Sequence, residues 1–215
     1  MSWTSAQLLD AFLSTTSDQI IPLTAKGVAS GSKVFGAAIL RKSDLSVVVV
    51  ATNHETSSPL LHGEINCIQQ FYALPADQRP LPKECIFFAT HEPCSLFFWS
   101  SGLSGITWSG FDNHYFLFTY EDTRDAFNIP HDIKILEEVF KVPTPSETPE
   151  AFAKRPLYNK SNAFWIARSV ADLVNDLEGG EKNTMEKRVK EIREEYNGLS
   201  GVYQGGKGSK GIPLA

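Results

Sequence analysis

Cys85-Ile86-Phe87-Phe88-Ala89-Thr90-His91-Glu92-Pro93-Cys94 is the stretch on which the fold turns. Residues 85–90 are apolar or small with hardly a polar interruption, the pattern of a strand buried among neighbours. Glu92-Pro93 ends it, and the spacing predicts a helix over 94–101. Upstream, 34–40 and 46–52 are apolar and β-branched, with Lys42-Ser43-Asp44 between them, and read as a hairpin. A polar loop over 53–59 leads to a predicted helix over 61–73, and Pro75, Pro80 and Pro82 mark the return to Cys85. Before the hairpin, 4–29 has helical spacing at Leu8, Leu9 and Phe12, then Ile20, Ile21 and Val28, with Pro22 as the point where it kinks or splits. After the central stretch, 106–108 and 115–120 read as strands and 133–140 as a helix. Strands that alternate with helices predict a sheet covered by helices, hence α/β.

The composition-rich boundary comes at Pro143-Thr144-Pro145-Ser146-Glu147-Thr148-Pro149-Glu150, which reads as linker. We therefore expect a core domain over 1–142, a linker over 143–162, a helical extension over 163–197 and a flexible glycine-rich tail over 198–215. Within the extension, Phe164, Ile166, Val170, Leu173 and Val174 suggest one helix over 163–177, and the charged run 181–196 a solvated one. The chain has 215 residues, 42% hydrophobic and 21% charged, enough for a sizeable core and too apolar for a disordered chain. Its apolar runs fall far short of a bilayer span and its first residues carry no leader pattern, so the expectation is a soluble, cytoplasmic protein. A net charge of −5 argues against a broad nucleic-acid interface, while leaving room for a single nucleotide or an RNA target. The cysteines, Cys67, Cys85 and Cys94, are an odd set and read as free thiols.

Position singles out two segments. His62-Gly63-Glu64 and Pro93-Cys94 each stand at the start of a predicted helix that follows a strand, where ligands of α/β sheets bind. A helix N-terminus favours the thiolate of Cys94, and imidazole plus thiolate is a ligand pair suited to zinc. On a helical wheel Glu64 lies roughly 200° from His62, which predicts that the two do not share an ion and that Glu64 handles protons beside it. Cys67 turns roughly 140° from His62 on the same wheel, and Cys85 lies at the far end of its strand. Both read as core thiols.

The signature H-x-E followed by P-C-x-x-C belongs to zinc deaminases, and this chain resembles the cytidine deaminase-like superfamily. The likeness is to the branch of cytosine, guanine, deoxycytidylate and tRNA adenosine deaminases and covers about residues 35–120. Phe35-Gly36-Ala37-Ala38 is similar to its P-F-G-A strand, with Val34 in the proline's place. Pro59-Leu60-Leu61-His62-Gly63-Glu64 resembles D-P-T-x-H-x-E, with Ser58 at the aspartate, and Thr90-His91-Glu92-Pro93-Cys94 resembles T-x-E-P-C. The resemblance implies a three-layer α/β/α fold around a mixed five-stranded sheet. It further implies zinc on His62 and Cys94, Glu64 as the catalytic acid/base and Asn53 as the residue that binds the base. The substrate would be a small-molecule base, nucleoside or nucleotide, and the protein a homodimer. One departure stands out: Phe97 occupies the position of the second cysteine, on the helical face shared with Cys94. A benzyl ring cannot coordinate zinc, whose catalytic sites take three protein ligands. His54 and His91 are the alternatives near at hand. The rival reading is a non-catalytic member of the same fold, a structural or regulatory subunit.

Overall fold

The computed structural model describes residues 3–94, 102–208 and 212. Its centre is a five-stranded sheet of β1 (Gly36–Arg41), β2 (Val47–Thr52), β3 (Cys85–His91), β4 (Asn113–Phe118) and β5 (Ile166–Ser169), in the order β2-β1-β3-β4-β5. β1 runs antiparallel to both β2 and β3, whereas β3–β4 and β4–β5 are parallel. The sheet is mixed, as expected. The antiparallel pair closes through a tight turn in which the Asp44 carboxylate accepts from the Ser46 N–H at 2.9 Å.

Alternation along the strands divides the core into two layers. Ala38, Leu40, Ile86 and Phe88 face α1 (Ser5–Thr15), α2 (Ile21–Ala29), α8 (Val170–Asn175) and α9 (Gly179–Gly206), where Phe12 stacks on Phe88 with centroids 4.6 Å apart. Ala37, Ile39, Phe87 and Ala89 face Cys67, Ile68 and Phe71 of α3 (Gly63–Ala73). Every residue of β3 is buried, which explains its unbroken apolar pattern. Pro22 does divide the first helical segment: a π turn over Thr16–Ile20 precedes α2, and the proline stands in the first turn, where its missing N–H costs nothing.

Several elements differ from the sequence expectation. Residues 106–108, expected as a strand, end helix α4 (Gly102–Trp108), because a run of three residues is too short to carry a period. β4 begins two residues earlier than expected. The helix expected over 163–177 is β5 followed by α8, with the Ser169 side chain capping α8 by accepting from the Asp172 N–H. The extension thus completes the sheet instead of standing apart from it. Within the expected linker, Thr148 caps a short helix α7 (Pro149–Lys154). Helix α9 runs through the glycines expected to form a flexible tail, burying Ile192, Tyr196, Ser200 and Tyr203 at helical spacing. The helix expected over 94–101, including Phe97, lies outside the described residues apart from Cys94 itself. Among the described residues no helix is long and apolar enough to cross a membrane.

Candidate active site

His62 is the residue before α3, and its backbone is extended (φ −67°, ψ 161°). It is therefore off the helical wheel, and the separation predicted between His62 and Glu64 does not arise. One ligand atom each from His62, Glu64 and Cys94 lie within 4.8 Å of one another, all three residues buried. The approach of α3 to β1 depends on Gly63, where a Cβ would stand 2.9 Å from both Gly36 Cα and the Phe35 carbonyl oxygen. Cys94 arrives from the end of β3, and its N–H donates to Glu64 Oε1 at 3.0 Å. The turn before it is tied down as well. The Tyr120 hydroxyl donates to the Pro93 carbonyl at 2.5 Å. Glu92 accepts from the Tyr120 N–H at 3.2 Å and from the Tyr158 hydroxyl at 2.5 Å. Burial raises the Glu92 carboxyl, against the pull of Tyr158 and Lys160.

Asn53 closes the other side. Its Oδ1 accepts from the Gly63 N–H at 2.6 Å and its Nδ2 donates to Glu55 Oε2 at 2.9 Å. Glu55 is buried and paired with Lys33, whose Nζ reaches Oε1 at 2.6 Å and whose backbone N–H donates to Oε2 at 2.8 Å. Burial alone would raise this carboxyl, but the Lys33 charge and these donors hold it below the usual range. Among the described residues the amide of Asn53 keeps one N–H and one lone pair unused.

Phe35, Glu64, His91, Cys94, Thr123 and Asp132 line one enclosed cavity. Asp132, which precedes Ile133 in α6 (His131–Ile135), has its carboxyl pushed up to about 7 by burial and then by the negative charge of Glu64. His91 is held neutral, its pKa pushed down to about 3 by burial and then by Arg193. Its Nδ1 is 3.0 Å from the Thr90 hydroxyl, and its ring packs against Phe35, Phe118, Phe127 and Tyr196.

The residues gathered here fit a metal ion. His62 Nδ1 is buried without a hydrogen-bond partner, beside a thiol and a carboxylate, and nitrogen, sulfur and oxygen donors of this kind hold zinc. The alternatives do not join them. His54 is exposed and bonded to Ser57 at 3.2 Å. Burial pushes the Cys67 thiol well up and the Cys85 thiol to about 11, and neither belongs to the group. Sequence reasoning missed Lys33, Glu55 and Asp132. Glu55, two residues past Asn53, was the one with a signal: a carboxylate in the loop that delivers His62.

Residues 14–114 match the family model for the cytidine and deoxycytidylate deaminase zinc-binding region. No curated protein matches. Among solved structures, guanine deaminase from Bacillus subtilis is 21% identical, over 72% of this chain and 86% of its own, with a TM-score of 0.47. Guanine deaminase from Nitrosomonas europaea is 16% identical over 82% of each chain, with a TM-score of 0.43. A structure from work on tRNA:A34 deaminases is 16% identical, over 78% of this chain and 99% of its own, with a TM-score of 0.39. Scores this low carry no argument, and the likeness rests on the matched region and on the motifs of the chain itself. Over residues 14–114, then, this chain is similar to the zinc-binding region of the cytidine and deoxycytidylate deaminases.

Proposed function

We propose that the protein is a zinc-dependent hydrolytic deaminase, which replaces the exocyclic amine of a nucleobase, nucleoside or nucleotide with oxygen and releases ammonia. The observation that carries this reading is the gathering of His62, Glu64 and Cys94 within 4.8 Å, with Glu64 and Cys94 in the wall of one cavity. His62 and Cys94 would hold the ion, and zinc bound there would supply a water acidified towards neutral pH. Glu64 would carry both protons of the attacking water, the first to the ring nitrogen and the second, taken from the hydroxyl added to the amine-bearing carbon, to the departing amine, which leaves as ammonia. The Cys94 N–H fixes the Glu64 carboxylate for this work. Asn53 orients the base with the N–H and lone pair left to its amide. Asp132, buried in the same cavity, offers a carboxyl to a ring N–H or amine of the base.

The substrate is read as a small molecule, in keeping with the net charge of −5, and the protein as a homodimer, as the family resemblance implies. The test is metal content by elemental analysis together with ammonia release from a panel of cytosine, adenine and guanine bases, nucleosides and nucleotides. Zinc near one per chain and release from at least one compound are expected. No zinc at saturating metal and no release would leave the non-catalytic reading, which Phe97 favours.

A further inference from the structure

The buried charges behind His62 have no part in the chemistry above. Lys33 and Glu55 have side chains only 6% and 1% exposed, with Nζ and Oε1 2.6 Å apart. Such a pair is costly to bury, and well-packed apolar residues could take its place without loss of stability. Its location gives it a use. Glu55 receives Lys33 Nζ, the Lys33 N–H and Asn53 Nδ2, and its Oε1 also stands 3.6 Å from His62 Nε2. That is too long for a hydrogen bond but close enough for a carboxylate to draw the imidazole proton to the nitrogen facing it. The other nitrogen, Nδ1, is buried and has no hydrogen-bond partner among the described residues. We infer that the Lys33–Glu55 pair sets the tautomer of His62, holding the proton on Nε2 and keeping the Nδ1 lone pair for the metal. Lys33 fixes the carboxylate, Asn53 ties it to Gly63, and the imidazole is presented ready for an ion shared with Cys94. Glu55 and Lys33 are positioning residues. Two other charges act on the ring: Glu64, whose effect on it exceeds that of Glu55 and whose carboxylate lies within 4.8 Å of the His62 ligand atom, and Lys33 itself.

The inference rests on the metal site proposed above, but its first readout needs no metal. Protein labelled with ¹⁵N-histidine is stripped with a chelator, and long-range ¹H–¹⁵N correlation assigns the tautomer of His62. Zinc affinity is then measured by competition with a chromophoric chelator. Wild type is expected to carry Nε2–H. In Glu55→Gln the ammonium of Lys33 keeps the amide oxygen at the Oε1 position, so Nε2 faces a neutral acceptor in place of a carboxylate; the bias weakens, mixed tautomers appear and zinc affinity falls about tenfold. Because Glu55→Gln can also disturb folding, Lys33→Met/Glu55→Leu removes both charges together. It should fold and show mixed tautomers, with zinc affinity about tenfold lower. A folded double variant that binds zinc as wild type does would reduce the pair to a structural role and overturn the inference. So would an Nδ1–H tautomer in wild type. If wild type holds no zinc yet shows an Nε2–H that gives way to mixed tautomers in Glu55→Gln, the inference stands and the deaminase reading falls. If zinc binds equally to wild type and folded Glu55→Gln, the deaminase reading stands and the inference falls.

Discussion

Gly63→Ala should disable the site through one methyl group. The new Cβ would lie 2.9 Å from Gly36 Cα, 2.9 Å from the Phe35 carbonyl oxygen and 3.0 Å from Gly36 N. All three are backbone atoms of the β1 edge, which cannot swing aside as a side chain can. Relief to an ordinary contact needs α3 to retreat by about 0.5 Å, as much as a catalytic constellation tolerates. His62 and Glu64 ride on that turn, and the 2.6 Å bond from the Gly63 N–H to Asn53 would stretch. Two effects oppose each other. Removing a glycine ordinarily stabilises by about 0.4–1 kcal/mol through the unfolded chain, whereas overpacking costs about 1–3 kcal/mol. The clash wins, for a net loss of about 1–2 kcal/mol, or a fall in Tm of about 2–8 °C for a chain of this size. Zinc affinity should drop about tenfold with it. Gly198→Ala is the control: it lies in α9 with nothing within 4 Å of its Cβ position, and the same change there should stabilise by up to about 1 kcal/mol. Thermal unfolding in chelator and zinc competition measure both variants. If Gly63→Ala keeps the wild-type Tm and zinc affinity, the seating of α3 on β1 is not what aligns His62 with Cys94.

Glu64→Gln keeps an oxygen to accept from the Cys94 N–H but cannot shuttle protons; ammonia release should fall about 10²-fold or more with the unfolding midpoint unchanged, and equal activity would remove Glu64 from the mechanism. Phe97→Cys supplies a thiolate where the family signature has one and should raise zinc affinity; no gain, with wild type already at one zinc per chain, would mean that another residue completes the ligand set. His114 is buried against Trp165 and Phe116 with neither ring nitrogen bonded, and burial, then Lys160, pushes its pKa down to about 3. The unfolded chain regains the ordinary value near 6.5, so as pH falls from there towards 3 only the unfolded state takes the proton and stability is lost. In urea unfolding at pH 7 and pH 5, His114→Phe should therefore lose about 2 kcal/mol less than wild type, and identical pH dependence would refute the assignment.

What the sequence determined by itself was local. Residues 85–90 had to form a buried strand because they are apolar without interruption, and Phe35-Gly36-Ala37-Ala38, His62-Gly63-Glu64 and Pro93-Cys94 declared their chemistry because the residue types are contiguous. Distant pairing decided the rest. β5 is four residues whose partner, β4, lies some fifty residues earlier, and nothing local separates them from the start of a helix. The glycines of α9 suggested a flexible tail, but Tyr196, Ser200 and Tyr203 bury one face, and that packing overrides weak helix propensity. His62 and Glu64 were set apart by a helical wheel that does not apply, since whether His62 is inside the helix or caps it depends on how α3 seats against β1. Lys33 and Glu55 stand 22 residues apart on either side of the hairpin; only the folded sheet brings them together behind His62, because an ion pair is a property of distance in space and leaves no period in the chain.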